Sequence, residues 1–455
     1  MTTDASPRDT VRSTSPLPPG PRLPVLAQTV LFGNHRHHWL PRLRRRYGDI
    51  VRLRLFPERS VVSLSDVEHI KAVFAGPVST FHAGEGNVIL KPIMGANSVL
   101  LTDEDVHLRA RKLLMPAFHG AALRGYRDMV TELTTAEVGR WPSGTVFGVH
   151  DRMRALTLEI ILRVVFGVGA GARLDELRER LNSTIDIGAV DIFGWHNPKL
   201  QRFGPWRRNK AHQDRVDELL YEEIAERRRA GDLESRTDVL SRLLTVPSEE
   251  DRLTDVELRD QLITLLLAGH ETTATALAWA FHELARDPAQ QAAAIRAADD
   301  GDEKYLEAVT KEAMRLHPVI SEVARKLTKD VEIGGYRIPA GYTVMPSIGL
   351  VHSDDEHHPD PFAFRPRRFL DGGPPTGTWL PFGGGARRCL GAGFSLLEAN
   401  IVLREVFTRF HIAPDRPRPE PVKTRHITLV PGRGARLTLT PRTGTTATRT
   451  GTTPT

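Results

Sequence analysis

One cysteine in 455 residues leaves no partner for an internal disulfide and no set for a Cys-rich zinc or iron–sulfur site. That usage suits a reducing cytoplasm. Met1 to Ser15 lacks an apolar stretch, so it predicts neither a secretory signal nor a membrane anchor. An excess of one charge is missing too. The 62 basic residues are interleaved with 56 acidic ones, for a formal net charge of +6. No nucleic-acid motif accompanies that balance, which reads as a solvated mixed surface with room for a local basic patch facing an acidic protein. Pro441 to Thr455 is Thr, Gly and Arg with little to bury, which predicts a disordered tail, as 1–16 predicts a disordered leader. No internal repeat is present.

What remains, residues 17–440, is expected to form a single domain. Hydrophobic residues at 40% and charged residues at 26% fit a large globular core. Leu17-Pro-Pro-Gly-Pro-Arg22 is a stiff entry segment. Gly48 to Ser65 alternates apolar and polar residues and predicts a hairpin. Helical patterns dominate from Glu104 to His317, including charged amphipathic helices at Arg173–Asn182 and Gln213–Ala230, with an irregular lid at Ile185–Trp206 between them. Strand character returns at Val331–Pro346. A Pro- and Gly-rich stretch, His358–Gly391, leads to a last helix at Gly393–Phe410 and a closing hairpin at His426–Leu439. The order predicts a mainly α fold with small peripheral sheets, not alternating βαβ units.

The cysteine lies in Phe382-Gly-Gly-Gly-Ala-Arg-Arg-Cys-Leu-Gly391. The glycines allow close approach of a bulky planar ligand. A following helix start, with Arg387 and Arg388, favours a thiolate at Cys389. A buried small hydrophobe, a nucleophile and a metal ligand are the competing roles. The spacing Phe382, Gly385, Cys389, Gly391 resembles the haem-ligand loop of cytochromes P450. That resemblance implies a P450 fold, haem b as cofactor and Cys389 as the axial iron ligand, pushing electron density to favour O–O cleavage. It also implies that Phe382 packs beside the sulfur and that Arg387 contacts a haem propionate.

Two other segments extend the resemblance. Glu312 and Arg315 share one helix face, a spacing that Glu226/Arg229 and Glu322/Arg325 also show. With Phe364-Arg-Pro-Arg-Arg-Phe369 downstream, they are similar to the family's Glu-x-x-Arg helix and Pro-x-Arg-Phe segment. Arg368 would complete a buried Glu–Arg–Arg scaffold. Arg367 stands where the family usually has Glu. In Leu267-Ala-Gly-His-Glu-Thr-Thr273, Ala268 and Gly269 leave room beside a long helix. Its polar residues make it too costly for lipid, so a core helix is expected. Glu271 and Thr272 match the family's acid–alcohol pair, which relays protons during oxygen activation. A merely polar helix face is the alternative. His107 and Arg111 match the helix whose first and fifth residues contact haem propionates, and Arg325 matches another propionate-binding cation.

Gly167-Val-Gly-Ala-Gly-Ala172 fits a loose dinucleotide fingerprint, but Asp151 to Phe166 has helical spacing and no βα units follow. An NAD- or flavin-dependent oxidoreductase is therefore the weaker alternative, and a non-catalytic haem protein for gas sensing is a third. The chain resembles a soluble bacterial monooxygenase that acts on O2 and a lipophilic small molecule. Electrons are expected from a separate ferredoxin and ferredoxin reductase, since no flavin or ferredoxin segment follows Cys389. Phe81–Leu101, Ile185–Trp206 and Val319–Val323 are the expected pocket walls. Val88, Ile89, Leu90, Ile93 and Met94 favour a lipophilic ligand, with a terpenoid of secondary metabolism ahead of a polyketide or fatty acyl compound.

Overall fold

The computed structural model describes residues 16–56, 59–167, 171–184, 199, 203–425 and 427–442. Helix α1 (Val25–Tyr47) kinks at His35 and encloses Pro41. Its Trp39, Leu40 and Leu43 pack on Val51, Leu53 and Val61. Proline and a run of arginines obscure this helix in the sequence, where nothing helical was expected before Glu104. The expected hairpin is present as β1 (Ile50–Leu55) and β2 (Arg59–Leu64), antiparallel with Leu53 opposite Val61. Helix α2 (Val67–Ala75) follows. The Asp66 carboxylate caps it by accepting the His69 N–H at 2.9 Å. Strand β3 is the two-residue Phe81–His82.

Four helices then frame the centre: α3 (Glu104–Leu114), α4 (Val149–Phe166), α5 (Asp255–Arg286) and α6 (Glu303–Leu316). Helix α5, 32 residues long, begins in a capping box between Thr254 and Glu257. It lies along α4, where Thr157 Oγ1 donates to the His270 carbonyl at 3.0 Å. The two amphipathic helices expected between them form as Ala172–Thr184 and Gly204–Arg229. Their charged faces meet through Arg215–Glu176 at 2.8 Å and Arg173–Glu223 at 2.7 Å. Most of the lid at Ile185–Trp206 lies outside the described residues, as do the leader to residue 15 and the tail from residue 443. Gly167 ends α4 in a left-handed conformation, its N–H bonded to the Arg163 carbonyl at 2.8 Å. The glycine-rich stretch therefore starts at a helix C-cap and not at a strand end, so the dinucleotide reading has no βα turn to rest on.

Strands β4 (Arg325–Leu327) and β5 (Thr343–Pro346) complete a five-stranded sheet in the order β1-β2-β5-β4-β3. Between them Val331–Ile333 pairs with Tyr336–Ile338 around Gly334 and Gly335, as the turn residues predict. The last long helix is α7 (Ala392–Phe407). Strands β6 (Phe410–Pro414), β7 (Val422–Arg425), β8 (Thr428–Pro431) and β9 (Arg436–Pro441) follow it. The expected closing hairpin does not form. β8 pairs with β7, whereas β9 pairs with β6 and with Phe147–Gly148. Alternation reveals a strand but not its partner, and Gly432-Arg433-Gly434 carries the chain from one sheet to the other. The result is mainly α with small separate sheets. Among the described residues, no helix is long and apolar enough to cross a membrane.

Candidate active site

The site rests on a buried scaffold of charges. Glu312 and Arg315, on α6, are joined by bonds of 2.7 and 2.9 Å, and neither side chain has any solvent exposure. Arg368 Nε donates to the same carboxylate at 2.9 Å. Arg315 also donates to the His352 and Pro361 carbonyls, so each buried charge has its partners. Arg367 is exposed and takes no part. Of the same-spaced pairs, Glu322 turns instead to Arg36 of α1 at 2.9 Å.

This scaffold sets the cysteine loop. The Cys389 N–H donates to the Phe382 carbonyl at 2.9 Å, closing the loop on itself. Phe382 stands edge-on to Trp379, whose ring N–H donates to the Lys311 carbonyl at 3.1 Å on α6. Gly385 has φ +64°, and a Cβ there would overlap the Phe74 carbonyl oxygen at the end of α2. Cys389 is accessible although protein crowds it closely, which is how a group lining an internal hollow behaves. Burial pushes its thiol up, against the pull of the Gly391 N–H, Arg111 and Arg388. The helix start and the neighbouring cations favour a thiolate, as the sequence predicts, while burial opposes it. Burial outweighs them.

The cations around the loop divide in two. Arg387 is fully engaged: it pairs with Asp103 and donates to the Thr102 carbonyl at 2.6 Å, the Val99 carbonyl at 3.2 Å and His107 Nδ1 at 2.8 Å. Burial, and then Arg387, hold the His107 pKa below its ordinary value, keeping the ring neutral. Arg325 is buried with no ion pair among the described residues, although Asp103 lies near enough to raise its pKa; it holds the Ala324 carbonyl at 2.8 Å and the face of Phe74. Burial, with Arg387 nearby, lowers its pKa to about 10. Arg111, near Cys389, has no ion pair among the described residues. Two guanidinium groups left short of anions beside a thiol fit a ligand that carries both carboxylates and a metal.

On the other side stands α5. Ala268 is exposed and Thr272 half-exposed, while His270, Glu271 and Thr273 are buried, so one narrow strip of a core helix faces open space. Thr273 Oγ1 bonds Ser395 Oγ at 3.2 Å, which sets this strip over the start of α7, just beyond Cys389. Thr272 donates back to the Ala268 carbonyl at 2.8 Å, keeping its oxygen lone pairs available. Glu271 turns away from that strip. Its carboxylate lies 2.9 Å from Arg154, 3.3 Å from Arg425 and 3.9 Å from His150. The Arg154 contact is a charge pairing without hydrogen-bond geometry. Burial lowers the His150 pKa to about 4. Nothing in the sequence marks Arg154, Arg425 or His150, which come from distant segments.

An ensemble of anion-seeking arginines around an accessible thiol, under an open strip of helix, defines a haem-thiolate protein. Comparison with known proteins takes this further. The Cytochrome P450 family model matches residues 17–438. Over 432 residues the chain is 51% identical to cytochrome P450 135A1 of Mycobacterium tuberculosis, covering 94% of this chain and 96% of that one. It is 44% identical over 429 residues to cytochrome P450 135B1 of Mycobacterium bovis, covering 92% and 91%. Among solved structures, retinoic acid-bound cyanobacterial CYP120A1 superposes with a TM-score of 0.83 at 24% identity, over 94% of this chain and 100% of that chain. The chain belongs to the cytochrome P450 family. Members are monooxygenases that bind haem b through a cysteine thiolate and use O2 and a redox partner.

Proposed function

We propose that this protein inserts one oxygen atom from O2 into a lipophilic small molecule, with Cys389, the chain's one cysteine, as the iron ligand. The observation that carries this reading is Arg325, a buried cation with no ion pair among the described residues, close to Arg387 of the thiol-bearing loop. In this reading Arg325 and Arg111 take the haem propionates, and Arg387 and His107 brace the wall behind them. Phe382 shields the sulfur. When bound, haem b supplies the reductive activation of O2. Thr272 then holds a proton at its Oγ1 on the open strip of α5, and Glu271 reloads it after leaving Arg154 and Arg425.

Apolar walls support a lipophilic substrate. Val88 and Ile89 are exposed, while Ile93, Met94 and Val319 are buried. A terpenoid of secondary metabolism, such as an intermediate in antibiotic biosynthesis, is favoured over a polyketide or fatty acyl compound. Electrons come from a ferredoxin and its reductase in a cytoplasmic setting. Arg388, Arg404 and the exposed Lys112, which stands 3.6 Å from Asp251, offer the ferredoxin a basic face, whereas Arg109 is bound to Glu257 at 2.9 Å. The test is reconstitution with a ferredoxin and reductase against a panel of terpenoids, polyketides and fatty acids. A substrate-induced spectral shift and a product heavier by one oxygen are expected for an apolar compound, with reduction slowed by salt. Shifts confined to polar, charged compounds would reject the lipophilic assignment.

A further inference from the structure

Residues 371–381, which lead into the cysteine loop, form no helix or strand. Their buried backbone groups must therefore find partners on other elements. Two buried histidines supply them. The Leu380 N–H donates to His352 Nε2 at 2.8 Å, and the His358 Nε2–H donates to the Thr378 carbonyl at 3.1 Å. Trp379, between them, reaches the Lys311 carbonyl through its ring N–H. The hold on Leu380 passes directly into the loop. Its carbonyl accepts the Gly383 N–H at 2.9 Å, and the Phe382 carbonyl within that turn accepts the Cys389 N–H. His352 ends the short helix Ile348–His352, and its own carbonyl accepts from Arg315 at 2.9 Å. One residue thus touches the charged scaffold with its backbone and the approach to the cysteine with its ring.

The same bonds fix the ring protons. Because His352 Nε2 accepts, a neutral ring carries its proton on Nδ1; because His358 Nε2 donates, its lone pair lies on Nδ1. Both rings are held neutral. Burial, then His358 and Arg315, keeps the His352 pKa well below its ordinary value. Burial, with Arg315 and Arg368, lowers that of His358 to about 4 against the opposing pull of the Thr378 carbonyl and Glu312. The rings lie 6.0 Å apart and nearly perpendicular, and neither Nδ1 has a hydrogen-bond partner among the described residues. An apolar ring would fill the same space without stranding a polar atom, so the Nε2 bonds are what the histidines contribute. We propose that His352, supported by His358, is a positioning residue for the iron ligand, coupling the Glu312–Arg315–Arg368 scaffold to the turn that presents Cys389. The link to iron rests on Cys389 being the ligand; the hold on the loop does not.

Haem transfer from the holoprotein to apomyoglobin and amide hydrogen exchange test this together. His352→Phe keeps a ring and removes the acceptor, whereas His352→Gln keeps an oxygen able to receive the Leu380 N–H. Haem transfer should quicken by roughly tenfold in the Phe variant, as for one buried donor left unpaired, and by no more than about threefold in the Gln variant. Exchange should rise across 378–389 in His352→Phe and stay at the wild-type level in α5. His358→Phe strands a carbonyl instead of a donor, which costs less. It should raise exchange over the same residues with a smaller change in haem transfer. Wild-type haem transfer in His352→Phe, a Gln variant as fast as the Phe one, or exchange raised equally in α5 overturns the proposal. If His352→Phe retains no haem, unchanged loop exchange in His358→Phe overturns it. A wild type lacking the red-shifted carbon monoxide band would refute the ligand assignment alone, since exchange reads the loop and not the iron.

Discussion

Glu312 and Arg315 meet fork to fork, through bonds of 2.9 and 2.7 Å, where neither side chain reaches water. Arg368 completes the triad from a segment more than fifty residues downstream. Glu312→Gln leaves two guanidinium groups short of a charge in the interior. It should destabilise the protein by roughly 3–5 kcal/mol, read as a lower urea midpoint and poor haem retention. Arg368→Lys keeps the charge but loses the planar fork, and the loss should be smaller. Unaltered stability of Glu312→Gln would contradict the scaffold role.

Cys389→Ser should abolish the strongly red-shifted Soret band of the reduced, carbon monoxide-bound protein. The band reports thiolate ligation, and the chain has no other cysteine. Retention of the band would refute the ligand assignment.

Arg325→Met separates the two states of the protein. Without haem, the variant should be more stable than wild type, by about 1–4 kcal/mol, because an unpaired buried cation is replaced by an apolar chain. With haem it should lose the cofactor faster, read by transfer to apomyoglobin. The pH dependence has a definite sign. The folded haem-free pKa is lowered to about 10, below the ordinary range of an arginine. The penalty is therefore full at neutral pH and fades as pH rises through about 10. Loss of stability in the haem-free variant would show that Arg325 has a protein partner.

Thr272→Ala removes the hydroxyl that caps the Ala268 carbonyl and suits an α-helix. Folding and haem content should match wild type. Product formed per reductant consumed should fall severalfold, with hydrogen peroxide released instead. Unchanged coupling would make the polar strip structural.

The cysteine loop and the Glu312–Arg315 pair were legible because their chemistry is written at short, fixed spacing. The partners of Glu271 were not. Arg154 and Arg425 stand more than a hundred residues to either side of it and carry no local mark. Helix α1 was hidden by Pro41 and by its clustered arginines, which dilute the apolar face that Trp39, Leu40 and Leu43 present. The final strands were visible as strands, yet sheet partnership depends on where Gly432 and Gly434 redirect the chain. Arg387 and Arg325 look alike in sequence. Only the surrounding acceptors show that one is satisfied and the other is not.

The contact between Gly385 and Phe74 bears on how the ligand loop tolerates change. Any side chain at 385 must displace the main chain of α2, and a residue at 384 must displace the Phe74 ring, whereas a Cβ at Gly383 or Gly391 meets nothing within 4 Å. A library randomised across the loop and selected for haem uptake should therefore return glycine at 385 almost without exception. It should admit small residues at 391, and at 383 only those that bear a left-handed backbone, such as asparagine. Pairing the library with Phe74→Ala should widen the choice at 384 but not at 385, since truncating a side chain leaves the backbone oxygen where it was.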